Sequence, residues 1–113
     1  MTESLLQQQI YQWYNNTFCL KHHNPRHIIF AVPNGGHREM IDAIILKRTG
    51  VVPGVSDLIV IRPNEILFVE VKRPEGIQSE KQKKFERTVT SLGFKYYLVY
   101  SLKDFKNIFG VTK

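Results

Sequence analysis

Apolar positions along this chain fall into short blocks whose period switches between that of a helix and that of a strand. From Thr2 to Asn16, Leu6, Ile10, Trp13 and Tyr14 recur at helical spacing, and Asn15-Asn16 is expected to end the run. His27 to Val32 is short, β-branched and closed by Pro33-Asn34-Gly35-Gly36, the pattern of a strand followed by a turn. His37 to Arg48 places Met40, Ile41, Ile44 and Ile45 on one side of a helix, with Gly50 positioned as its stop. Thr49 to Ser56 is a loop that carries Pro53 and Gly54. Two apolar runs, Asp57 to Ile61 and Ile66 to Lys72, flank Arg62-Pro63-Asn64-Glu65 and read as a β-hairpin. Ser79 to Leu92 is a helix with Phe85, Val89 and Leu92 as its buried stripe, stopped at Gly93. Phe94 to Tyr100 is a strand, and Leu102 to Phe109 a short closing helix. The order α, β, α, β, β, α, β, α predicts an α/β fold: a mixed sheet flanked by helices.

Composition narrows the class. A chain of 113 residues without repeats or a Ser/Gly linker is the length of one domain, spanning 1–113. Its apolar fraction of 42% and charged fraction of 23% are those of a globular protein. The apolar runs are too short to span a bilayer, and Met1 to Gln9 lacks the charged-then-apolar order of a secretory signal. A lone cysteine, Cys19, has no partner for an internal disulfide and reads as a small apolar filler in a reducing compartment. A soluble, cytoplasmic protein without a membrane partner is expected. The net charge of +6 and the pI near 9.6 favour an acidic partner, nucleic acid being the commonest.

The hairpin carries the candidate chemistry. Pro63 fixes its φ near −65°, which suits neither primed two-residue turn, so a four-residue loop from Arg62 to Glu65 is expected. Symmetric pairing then sets Ile61 against Ile66, Val60 against Leu67, Ile59 against Phe68, and Asp57 against Glu70. Directly opposed residues share a face, with Cβ atoms about 5 Å apart. Two like charges about 4 Å apart repel by roughly 4 kcal/mol at an effective dielectric near 20. Either one carboxyl keeps a proton or a cation binds both, and hard divalent ions such as Mg²⁺ favour oxygen ligands of this kind. Lys72, two residues after Glu70, shares its face of the strand, where an ammonium can stabilise developing negative charge. Acidic ligands and one lysine suffice for metal-assisted phosphodiester hydrolysis.

Gly54-Val55-Ser56-Asp57, twelve residues, then Glu70-Val71-Lys72 resembles the signature of the PD-(D/E)XK nucleases, and within that superfamily the VRR-NUC family. Pro33-Asn34-Gly35-Gly36-His37-Arg38, Leu46-Lys47-Arg48-Thr49-Gly50 and the Ser79-Glu80-Lys81-Gln82 helix start resemble the same family, over Glu3 to about Phe105. The resemblance implies a restriction-endonuclease-like architecture and a divalent metal, Mg²⁺ or Mn²⁺, at positions matching Asp57, Glu70 and the Val71 carbonyl. It implies Lys72 as the catalytic lysine, Gln82 as a helix-borne active-site residue, and Glu3 as the acidic residue of the first helix. Stand-alone members of this size resemble phage and bacterial enzymes acting on branched DNA such as four-way (Holliday) junctions, often as two-fold dimers. Phage encoding within a bacterial host is compatible with the cytoplasmic expectation. Ser56 departs from the family by replacing a common proline, which is expected to loosen the turn.

Several residues have a plainer reading beside the functional one. Ser79-x-x-Gln82 is a capping box, yet Gln82 also heads the apolar stripe of its helix, so capping and catalysis coexist only if the side chain is shared. Glu3 is a favourable charge at a helix N-terminus. His22 and His23 read as a solvated loop whose rings point apart. Tyr96, Tyr97 and Tyr100 read as core. Arg38, Lys47, Arg48, Arg73, Lys81, Lys83 and Lys84 crowd around the elements of the site and form a candidate DNA-binding rim. Tyr11, off the buried stripe of an aromatic-rich first helix, is a candidate homodimer contact. The alternatives to an endonuclease of branched DNA are an inactive DNA-binding module of the same fold, a monomeric flap or single-strand nuclease, and a hydrolase of a small phosphoester.

Overall fold

A computed structural model describes residues 1–33 and 40–111, with side chains for all of these except 40–43. The elements run α1 (Glu3–Phe18), β1 (Ile28–Ala31), α2 (Met40–Arg48), β2 (Leu58–Arg62), β3 (Glu65–Val71), α3 (Glu80–Ser91), β4 (Lys95–Val99) and α4 (Leu102–Ile108). The order is that of the hydrophobic pattern. The expected turn at Asn34-Gly35-Gly36, the helix start at His37, Arg38, and the side chains of Met40 and Ile41 lie outside the described residues.

The four strands line up in sequence order, β1 and β2 antiparallel, β2 and β3 antiparallel, β3 and β4 parallel. One face is closed by α1 and α4. Ile29, Leu58, Val60, Leu67, Val69 and Val71 alternate onto it and meet Leu6, Ile10, Tyr14 and Phe105. The other face receives α3, where Phe85 packs edge-on against Phe68 with ring centroids 5.5 Å apart.

Three expectations are corrected. The hairpin loop has two residues, Pro63-Asn64, because Arg62 and Glu65 pair across it. Asn64 takes a φ of 59° behind the proline, the order of a type II turn, which accommodates Pro63 where the primed turns do not. Shortening the loop by one residue on each side leaves the register unchanged, so Ile61 still faces Ile66 and Val60 faces Leu67. Helix α1 continues past Asn15-Asn16, because Phe18 stacks on His27 at 4.9 Å and contacts Tyr14 at 4.7 Å. Tertiary packing there outweighs the weak helix preference of asparagine. Leu92, expected in the stripe of α3, is its C-cap and 67% exposed, leaving Val89 buried and Phe85 half-buried.

Helix α2 offers a contrast to α1. Ile44 and Ile45 are both exposed, as are Val51 and Val52 after it and Ile28 and Phe30 on the edge strand. Single-sidedness at α2 did not translate into burial at its described positions. No described helix is long and apolar enough to cross a membrane.

Candidate active site

The carboxylates meet where the hairpin register puts them. Asp57 directly precedes β2, and continuing the pairing by one step beyond Leu58 and Val69 brings it opposite Glu70. Its Oδ2 accepts a hydrogen bond from the Val71 amide at 2.7 Å, which ties the turn to the far strand. The turn itself is pinned rather than loosened at Ser56: the side chain is fully buried and its hydroxyl donates to the Leu58 carbonyl at 3.2 Å. Gly54 sits at a φ of 81°, where a Cβ would lie 2.4 Å from the Lys81 carbonyl oxygen and 2.8 Å from the Gln82 amide nitrogen. A glycine is therefore what lets the turn before Asp57 rest directly on the first turn of α3.

Glu70 is 1% exposed. Its Oε2 accepts from Gln82 Nε2 at 2.9 Å, while Oε1 is buried with no hydrogen-bond partner among the described residues. Burial first, then the charge of Asp57 and the contact between the two carboxyls, holds Glu70 far above the usual carboxylate range. Lys72 pulls in the opposite direction and Glu3 adds to the rise. Without a counter-charge, the pair meets its repulsion by keeping a proton; an orphaned, buried carboxylate oxygen beside a second carboxylate is also what a hard cation fills.

Gln82 caps its helix and reaches Glu70 with the same side chain. Its Oε1 accepts from the Ser79 amide at 2.8 Å, and the Ser79 hydroxyl accepts from the Gln82 amide at 3.2 Å, completing the capping box. The other end of the same amide reaches Glu70. The cap thus orients the side chain that orients the carboxylate. Lys72 is half-buried, and its stem runs past Gly76, where a Cβ would come within 3.4 Å of Lys72 Cδ. Glu3, in the first turn of α1, is half-buried and accepts from the Arg73 amide at 3.3 Å. It acts on Glu70 through space, although no three His, Cys, Asp or Glu side chains among the described residues gather into a metal-binding group.

Sequence reasoning missed the residues behind Glu70. Tyr96, read as core, pairs with Phe68 in the parallel register and so shares Glu70's face of the sheet. Gln78 Nε2 donates to the Tyr96 hydroxyl at 3.2 Å and to Glu86 Oε1 at 3.0 Å. Burial, and next the charge of Glu70, raises the Tyr96 phenol above its ordinary range, which keeps it a neutral neighbour of the carboxylates. The signal was strand alternation, but it could be read only once β4 was known to run parallel to β3.

The described basic positions are exposed, and Arg38 lies outside the described residues. Lys81, Lys83 and Lys84 are exposed on the first turns of α3, and Lys47 and Arg48 on the last turn of α2. Arg73 is exposed and paired with Glu75, and Lys83 with Glu80 at 3.5 Å. His22 and His23 do not point apart: the turn brings their rings to 4.3 Å, and His23 Nδ1 accepts from the Leu20 amide. Cys19 is buried, as expected of a filler. The aromatic surplus of α1 is consumed inside the molecule, because Trp13 packs on Phe105 and Phe109 of the closing helical segment. Tyr11 stays exposed and lines a groove with Asp57.

Comparison with known proteins adds a family and a fold. A family model described as the VRR-NUC domain matches residues 1–103. A solved structure described as a "VRR_NUC domain protein" superimposes with a TM-score of 0.74 at 19% identity, covering 100% of this chain and 97% of that one. At that identity the likeness establishes a shared fold. No curated protein matches the chain.

Proposed function

The chain belongs to the VRR-NUC family, and from that premise we propose that it cleaves DNA phosphodiester bonds with Mg²⁺ or Mn²⁺ held between Asp57 and Glu70. Family membership makes it a nuclease-type, DNA-acting domain; metal, substrate structure and assembly are the finer parts of the proposal. The single observation that supports the metal best is Glu70 Oε1, a buried acceptor with no hydrogen-bond partner among the described residues, beside a second carboxyl. Asp57, Glu70 and the Val71 carbonyl would hold the ion, with Glu3 as the outer acid. When bound, such a metal supplies neutralising charge and a water of lowered pKa.

The chain's own residues set the rest. Gln82 and the Val71 amide each engage one carboxylate oxygen, which fixes both carboxyl planes before any ligand arrives. Lys72 faces the same side of β3 and would stabilise the negative charge that builds on the phosphate oxygens in the transition state. The exposed lysines of α3, with Arg38, Lys47, Arg48 and Arg73, would track phosphates along the strand, each contact releasing counterions.

We extend the reading to branched DNA, including four-way junctions, cut by a cytoplasmic homodimer. A chain of 113 residues is small for a four-way junction, and two symmetric cuts need two related active sites. The exposed apolar side chains of Ile28 and Phe30 on the edge strand and of Ile61 on the strand beside it favour a second copy. Cleavage of duplex, flap, single-stranded and four-way-junction DNA with Mg²⁺ and with Mn²⁺, each against EDTA, tests the reading. Metal-dependent cutting of the junction on two strands, with a dimer in sedimentation, is the expected result. Tight DNA binding without cleavage in either metal would replace the nuclease with a DNA-binding module. Cleavage by a monomer confined to flaps or single strands would remove the dimer and the junction.

A further inference from the structure

One face of α1 is chemically idle. Ser4, Gln7, Gln8, Tyr11 and Gln12 wall a groove of about 520 Å³ whose floor is Ala31 and Leu58, the last and first residues of paired strands. Among the described residues none of those five side chains makes a hydrogen bond, an ion pair or a ring contact. They recur at positions three and four apart, so they form one continuous strip along the helix. Asp57 and Glu3 stand at the groove as well, which opens it directly onto the carboxylate centre.

The lining excludes some occupants. Among the described residues no lysine or arginine borders the groove, and its two acids repel a phosphate wherever no cation screens them, so it is not a continuation of the basic rim. Three primary amides and a hydroxyl offer donors and acceptors in neutral form, and the 40%-exposed phenol of Tyr11 offers a flat apolar surface. Flat shape, neutral polar edges and stackable faces are the properties of a nucleobase, and aromatic side chains with amides are how unpaired bases are commonly held. The volume is that of a small-molecule site and too small for a base pair with its backbones.

We propose that the α1 groove seats one unpaired nucleobase of the strand whose phosphate lies at Asp57, with Tyr11 stacking on its face and Gln7, Gln8 and Gln12 reading its edge. The proposal rests on the nuclease reading and sharpens it: the preferred DNA has an unpaired nucleotide beside the cut, as at a branch point or flap. In a duplex the Watson–Crick edges are already paired and the base faces already stacked, so neither is open to the glutamines or to Tyr11.

The test is binding, measured by fluorescence anisotropy with Ca²⁺ in place of the catalytic metal, across a series of salt concentrations. Two DNAs are compared, a duplex with a short unpaired arm and the same molecule with abasic residues in that arm. Tyr11→Ala should weaken binding of the base-bearing arm by about tenfold, the usual cost of losing one base–aromatic stack, and Gln7→Ala with Gln8→Ala by a few-fold. Neither should change binding of the abasic arm, and Tyr11→Phe should bind as the wild type does. The slope of log K against log salt should stay constant in these variants, because neutral contacts release no counterions, whereas Lys81→Ala should flatten it for both DNAs. Equal affinity of wild type for the two arms, or equal losses on both with a flattened slope, overturns the proposal. A wild type that binds with the expected discrimination yet cleaves nothing in Mg²⁺ or Mn²⁺ would sink the nuclease reading while leaving the groove standing.

Discussion

The two ends of the β2–β3 hairpin carry charge in opposite ways. At the turn, Arg62 and Glu65 pair across the strands, 3.9 Å apart, and Glu65 also meets Lys95 at 2.7 Å. The Arg62 guanidinium lies over the Phe109 ring at 4.7 Å and the Phe18 ring at 5.7 Å, so its desolvated face is used too. At the far end the same ladder opposes two acids, Asp57 and Glu70, with Lys72 nearby and one buried oxygen without a hydrogen-bond partner among the described residues. Opposite charges across a strand pair support the sheet; like charges there weaken it. The hairpin balances its charges at one end and leaves them unbalanced at the other, which is where the proposed chemistry would sit.

Breaking the acidic end should have the largest effect. Lys72→Ala, Asp57→Asn and Glu70→Gln should each lower DNA cleavage by orders of magnitude in single-turnover kinetics. If the charge of Lys72 serves the transition state as proposed, Lys72→Ala should leave DNA affinity nearly intact; equal losses in binding and cleavage would reduce it to a phosphate contact. The carboxylate variants should also weaken Mn²⁺ binding measured by calorimetry.

Gly54→Ala comes next and probes how the acidic end is mounted. The new Cβ would press on the Lys81–Gln82 backbone at a positive φ, so unfolding in urea should show a loss of about 2 kcal/mol. Cleavage by the molecules that remain folded should fall as well, because the displaced helix start carries the amide that holds Glu70. A neutral outcome would detach the turn from α3.

The comparison sharpens through pH. Glu70 is protonated more readily in the folded, metal-free protein than in the unfolded chain, where its value is near 4.5. The native state therefore holds the extra proton, and the associated stability is complete below that value and is lost as pH rises through the raised one. Glu70→Gln should flatten this slope and raise the melting temperature of the metal-free protein at neutral to alkaline pH. Thermal denaturation with EDTA across pH 5 to 9, the interval set by the raised value, reads it; parallel curves for variant and wild type would contradict the electrostatic account.

The turn end should respond least. Arg62→Ala should cost about 1 kcal/mol, the order of a cation–π contact with a partly exposed ion pair, and should leave cleavage per folded molecule unchanged. Lost activity at full folding would mean that the two ends communicate.

Much of this was readable in the chain because its information is local. Element order follows from periods of 3.6 and 2, the capping box from Ser79 and Gln82, and the Asp57–Glu70 opposition from a symmetric hairpin whose register survived an error in loop length. That error shows the limit of local reasoning: a loop of two or four residues leaves the rest of the register the same, and only the observed pairing of Arg62 with Glu65 chose between them. What tertiary structure decided depended on neighbours distant in sequence. Phe18 kept α1 helical through two asparagines by packing on His27; Leu92 matched the stripe of α3 yet found nothing to cover it; Ile44 and Ile45 of α2 stayed exposed. Tyr96 and the idle face of α1 became part of the site's surroundings through a parallel strand pairing and a helix position that no spacing encodes. Sequence by itself determined which residues could be chemical, because side-chain chemistry and backbone period are properties of single segments. Which of them stand together is a property of packing, and packing was settled by apolar burial across the whole sheet.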